Sequence, residues 1–141
     1  VLFDVERRQL LETIAVMRAA RIPLVALPGA DVRFLALAVR LPAPLSRLVL
    51  RRVVAGARGG KSPSLRLHLQ GAEGPTEVRW MNGAVARAGR VAGVPTPVNA
   101  ALAELLDAAV ADPALRDELA ARPARIAELV ANPPAHPGPT P

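Results

Sequence analysis

The sequence predicts an all-α domain, and three observations carry that prediction. The 141 residues are 51% apolar but only 2% aromatic, so any core must be built from Ala, Leu and Val. Alanine and leucine favour helix, and the β-branched residues do not fall into alternating runs. Apolar residues instead recur at helical spacing between stretches punctuated by proline and glycine. The length suits one domain. The chain has no cysteine, which excludes disulfides and thiolate metal sites.

The first helix is predicted over Asp4 to Arg21, with Asp4 as its cap. Leu10, Ile14 and Met17 share a face, while Glu6 lies early and Arg18 and Arg21 late, as the helix dipole favours. Pro23 and the Pro28-Gly29 pair mark a loop. A second helix is expected from Asp31, its cap, to Leu41, and Pro42 and Pro44 end it. A third starts near Pro44 and turns Leu45, Leu48, Val49 and Val53 inward, leaving Arg47, Arg51 and Arg58 outside. Gly56 to Gly60 reads as loop, Ser64 to Leu69 as a short helix, and Gly71 and Gly74 bracket a further loop.

One long amphipathic helix should begin near Pro75. Val78, Met81, Val85, Gly89 and Ala92 form its apolar stripe. Gly93 fits a helix stop with Pro95 beyond it. Thr96 fits an N-cap and Pro97 a first helical position. The helix from Pro97 to Ala111 should bury Leu102, Leu105, Leu106 and Ala109. Asp112-Pro113 and Arg122-Pro123 then open two similar short helices, each proline fitting a first position. Residues 132–141 contain five prolines and are expected to be disordered. The expected organisation is a helical domain over residues 1–131 and a Pro-rich tail over 132–141.

The +6 net charge is uneven. From Val1 to Arg66 twelve basic residues face four acidic ones; from Leu67 onward six face eight. Between Val32 and Ala72 there is no acid, while Arg33, Arg40, Arg47, Arg51, Arg52, Arg58, Lys61 and Arg66 are present. Such a field suits an anionic ligand or surface. A solvated helix face is the more ordinary explanation. The longest apolar run, Phe34 to Val39, falls far short of the roughly 20 residues that span a bilayer. No signal peptide is recognisable. With no cysteine, the expectation is a cytoplasmic protein. The chain opens at Val1 and is read as a fragment whose partner domain lies upstream.

Glu77 is the first candidate for chemistry. A carboxylate at a helix start can hold ligand hydroxyls in register, although a glutamate there also stabilises the dipole with nothing bound. Ser64 is the second. A hydroxyl among the exposed N–H groups of a helix start suits an anion, and it equally suits a plain N-cap. Ala55 to Ser62 satisfies a loose phosphate-loop pattern, with Ala in place of the first glycine. Its context argues against nucleotide hydrolysis: a helical stripe precedes it and Pro63 interrupts the helix that should follow. Lys61 and Arg58 could still face a phosphate from a loop. Asn82 and Gly83 read as structural. A glycine inside a helix costs about 1 kcal/mol relative to Ala, so a closely packed element should compensate. Asn82 is expected to bond across that contact, Asn99 to cap or pack, and Trp80 to pack. His68 and His136 are isolated, without metal-ligand spacing.

The order Thr76-Glu77, Asn82-Gly83-Ala84-Val85 and Gly93 through Asn99 (GVPTPVN) resembles the C-terminal domain of the ketopantoate reductase (2-dehydropantoate 2-reductase) family. The resemblance reaches, more weakly, back through Gly59 to Leu65 and over the N-terminal helices, to about Val110. It implies a helical domain of the 6-phosphogluconate-dehydrogenase-like type. A Rossmann domain upstream would hold NADPH, and hydride would pass to the keto carbon of 2-dehydropantoate, giving pantoate for pantothenate and coenzyme A. The resemblance implies that Glu77 contacts the nicotinamide cofactor and that Ser64 binds the substrate, with Ser62 as the alternative. The family's proton-donating lysine precedes this region, and Lys61 is not that residue. No G-x-G-x-x-G follows a strand here, so the chain brings no dinucleotide fold of its own.

The implied partners are its own Rossmann domain, a small 2-keto acid and a second copy in a homodimer; no nucleic acid, membrane or metal is expected. Two alternatives stay open. One is a non-enzymatic basic module binding nucleic acid or an anionic surface, against which the lack of aromatic platforms weighs. The other is a reductase of a different keto acid.

Overall fold

The computed structural model describes residues 2–26, 31–57 and 77–132, and among these it holds eight helices and no strand. They are α1 (Leu2–Ala19), α2 (Val32–Arg40), α3 (Ala43–Ala57), α4 (Glu77–Trp80), α5 (Asn82–Ala92), α6 (Pro97–Ala111), α7 (Pro113–Ala121) and α8 (Ala124–Ala131). The all-α prediction holds. Gly56 and Ala57, expected as loop, belong to α3 together with Ala55, the first residue of the phosphate-loop pattern. The rest of that loop and pattern, the short helix expected from Ser64 to Leu69, both histidines and the tail over 133–141 lie outside the described residues.

Helix α1 is the spine. It packs against α2, α5, α6 and α8, while α6 packs against α5, α7 and α8. Two apolar clusters result. In the first, Ile14, Ala36, Ala38, Val39 and Leu50 join α1, α2 and α3, flanked by Phe3, Leu10, Leu11 and Leu35. In the second, Val98, Ala101, Leu102 and Val130 join α6 to α8, flanked by Val5 of α1. Arg7 of α1 fastens the turn between α2 and α3. Its Nε donates to the Val39 carbonyl at 3.0 Å and its Nη2 to the Leu41 carbonyl at 2.9 Å.

Helix ends governed by their own neighbours match the sequence. Asp31 caps α2, its Oδ1 accepting from the N–H groups of Arg33 (3.0 Å) and Phe34 (3.2 Å). Asp112 does the same for α7, at 2.9 Å from the Ala114 nitrogen and 3.3 Å from that of Leu115, with Pro113 at the first position. Gly93 ends α5 with φ 67°, and the Val94 N–H returns to the Gly89 carbonyl at 2.8 Å.

Several expectations are corrected. Asp4 does not cap α1, which already starts at Leu2; it lies in the first turn, 3.6 Å from Arg47. On α3 the buried face is turned by about one residue. Ser46 and Leu50 are buried and Val49 half-buried, whereas Leu45 and Leu48 are 52% and 53% exposed. The Arg7-fastened turn sets that rotation, because it brings Ser46 against the bundle and points Leu50 at Val39. Val53 has no described side chain. Pro123 stands one residue before α8, and no side chain caps that helix.

The predicted long helix is two helices, α4 and α5, separated at Met81, whose φ and ψ are −94° and −85°. The buried stripe of α5 is Gly83, Ala86 and Gly89; Met81 is 62% exposed, and Val85 and Ala92 are only half-buried. Hydrophobicity selects the large residues, but the contact selects the small ones, because α5 lies close to the chain that leads into α6. A β-carbon on Gly89 would stand 2.7 Å from the Val94 carbonyl oxygen and 2.8 Å from Thr96 Cγ2.

Candidate functional site

Glu77 is the first described residue of α4, which packs on α5 and α6. The Glu77 side chain, and Ser64 and Ser62 entirely, lie outside the described residues. What the structure gives is the frame that carries the backbone of Glu77.

That frame starts from a problem of helix ends. The first N–H groups of α6 have no partners within the helix. Pro97 has no N–H, and the Ala100 N–H bonds the Thr96 carbonyl at 3.0 Å. Val98 and Asn99 remain. Their acceptor is Glu12, in the middle of α1: Oε1 accepts from the Val98 nitrogen and Oε2 from the Asn99 nitrogen, both at 2.9 Å. Thr96, expected as the N-cap, makes no capping hydrogen bond. Its side chain packs on Gly89 instead, and it is buried.

Asn99 is 1% exposed and fully committed. Its Nδ2 donates to Glu12 Oε2 at 2.7 Å and to the Gln9 carbonyl at 3.1 Å. Both amide protons are thereby used, so Oδ1 faces the other way and accepts from Asn82 Nδ2 at 3.0 Å. The expectation that Asn82 bonds across the α5–α6 contact, and that Asn99 packs, is met. The sequence reading missed Glu12. Its signal was an acid at the edge of an apolar helix face, opposite a Pro-x-Asn helix start that needs an acceptor.

Two further contacts tie α4 down. The Arg87 guanidinium donates to the Arg79 carbonyl at 3.3 Å, and Arg79 stands 3.9 Å from Asp107 of α6. Both lie at the surface and hold less firmly than the buried amides. Trp80 is 67% exposed, so the expectation that it packs is corrected. With α5 seated through glycine and alanine, α4 lies at the rim of the bundle and its large side chain stays in solvent.

The arginine-rich half serves partly as framework. Arg7 and Arg33 donate to backbone carbonyls, and Arg47 lies 4.9 Å over the Phe3 ring and beside Asp4. Arg18 and Arg40 line a groove of about 510 Å³ between α1 and α2, floored by Leu11, Ile14, Ala15 and Ala19. Among the described residues no group of His, Cys, Asp or Glu could hold a metal, and no helix is long and apolar enough to cross a membrane.

The chain matches the family described as ketopantoate reductase PanE/ApbA C terminal over residues 3–110. Comparisons with curated proteins and with solved structures give no match. The matched span takes in α1 to α6, with the Glu12–Asn99–Asn82 network and the described part of α4, Glu77–Trp80. The chain therefore belongs to the ketopantoate reductase C-terminal domain family, a family of helical domains from oxidoreductases of that type.

Proposed function

We propose that this chain is the substrate-binding and cleft-closing domain of an NADPH-dependent 2-dehydropantoate 2-reductase-like oxidoreductase. Glu77 contacts the cofactor, Ser64 binds the keto acid, and a Rossmann domain supplies the rest of the cleft. The observation that carries this reading is α4. Helix α4, described from Glu77, packs on α5 and α6 beside a polar network that ends at Asn82, two residues past it.

The described residues fit one wall of a cofactor cleft and not its floor. They include no strand to build a dinucleotide fold, so NADPH would be held mainly by the partner domain. When bound there, NADPH supplies a hydride. This chain would contribute the Glu77 carboxylate, which can accept hydrogen bonds from ligand hydroxyls and reduce the entropy cost of reaching the reactive geometry. Closing the helical wall over the ligands also excludes water. The proton donor belongs to the partner domain, and this chain alone is inactive. Pantoate formation, cytoplasmic location and a homodimer belong to the same proposal.

The test is Glu77→Ala in the protein joined to its Rossmann domain. Ketopantoate reduction should fall about ten-fold or more. An unchanged rate removes the role of Glu77. Running the assay across other 2-keto and 3-keto acids identifies the substrate. The competing reading, a basic module for nucleic acid or anionic surfaces, is weakened by the structural employment of Arg7, Arg33 and Arg47. It predicts tight, salt-sensitive DNA or liposome binding by the chain.

A further inference from the structure

We propose that the Asn82–Asn99 hydrogen bond is a positioning device for Glu77, setting where α4 stands relative to the bundle. The inference rests on the reading of Glu77 as a cofactor contact.

Helix α4, described from Glu77 to Trp80, packs on α5 and α6 but is set off from α5 by the non-helical Met81, and its Trp80 is 67% exposed. The chain regains regular geometry at Asn82, the first residue of α5. At that residue a side chain reaches across to α6, Nδ2 to Asn99 Oδ1 at 3.0 Å.

The acceptor is rigid for a stated reason. Asn99 is 1% exposed, and both its amide protons are spent on Gln9 and Glu12 of α1. It cannot turn to offer a donor without losing those two bonds. Asn82 is therefore clamped to a group fixed by two other helices, at the junction from which α4 departs. Arg79 and Arg87 assist only from the surface. Asn82 and Asn99 act through Glu77; they are positioning residues.

Asn82→Asp separates this role from ordinary stability. The replacement is isosteric and puts a carboxylate in the first turn of α5, where the helix dipole favours it. It replaces the donor with an acceptor, so two oxygens face each other and the clamp is lost. Asn82→Ala removes the clamp without adding charge. Trp80, the chain's one tryptophan, reports on α4 directly.

In the full chain, both variants should lower the Trp80 fluorescence anisotropy while far-UV helicity stays near that of the parent; the melting midpoint falls in both, because the buried Asn99 Oδ1 loses its donor. Joined to the Rossmann domain, each should cut kcat/KM for NADPH about ten-fold. Combining either with Glu77→Gln should add nothing to the loss from Glu77→Gln alone, because both act on one contact. If Glu77→Gln has no effect, the cofactor reading fails and takes this proposal with it. If Glu77→Gln is impaired but the asparagine losses add to it independently, or anisotropy is unchanged, the positioning role alone is overturned.

Discussion

The Glu12 carboxylate accepts three hydrogen bonds from the start of a helix 86 residues or more further along the chain. Two come from N–H groups that Pro97 and Thr96 leave without partners, and one from the buried Asn99 amide. A carboxylate at a helix N-terminus also faces the positive end of the dipole. Glu12→Ala would strand all three donors, each worth about 1 kcal/mol or more when unsatisfied. The expected loss is about 2–4 kcal/mol in urea denaturation. Thr96→Val removes the hydroxyl and keeps the shape; as Thr96 is not the cap, its loss should stay under about 1 kcal/mol. A Thr96→Val loss equal to that of Glu12→Ala would restore Thr96 as the cap. Asn99 adds a second lesson at this scale. An asparagine in a Pro-x-Asn run suggests a cap, but its burial and its three partners make it a joint between α1, α5 and α6.

Among the elements, α3 shows what apolar periodicity can and cannot give. Its sequence offers leucine or valine on more than one face, and the stripe through Leu45 and Leu48 was the wrong choice. Leu50 is 7% exposed against Val39, whereas Leu48 is 53% exposed. Leu50→Ala should therefore cost about 2–5 kcal/mol. Leu48→Ala should stay within about 0.5 kcal/mol. Equal losses would mean that α3 is rotated from the position described. The legible parts of the fold share one property: their cause is local. Asp31, Gly93, Asp112 and Pro113 act within a few residues of themselves, and each end was readable. The rotation of α3 and the cap of α6 have partners far away in sequence, Arg7 and Glu12. The same division runs through the site. The bond of Asn82 was legible from the cost of the glycine beside it, whereas the role of Glu77 is a proposal drawn from its motif. Glu12 was not, because one glutamate on an apolar helix edge looks like any solvated charge until α6 is laid against it.

At the scale of the molecule, α1 couples two clusters that do not otherwise share residues. Ile14 and Leu10 belong to the α2–α3 side, Val5 to the α6–α8 side, and Glu12 binds α6 directly. Loss of α1 from one side therefore exposes the other. A chain built in this way should unfold in one cooperative step, since neither cluster keeps a complete wall without the shared helix. Trp80 stands on α4, against α5 and α6, and reports on that side, while far-UV ellipticity sums all the helices. In urea the two signals should give one midpoint and one slope. Glu12→Ala should move both together to lower urea without changing the slope. A tryptophan transition that precedes the loss of ellipticity would mean that α4 to α6 leave while α1 to α3 persist. In that case α1 is a tether between two independent packing units and not their common spine.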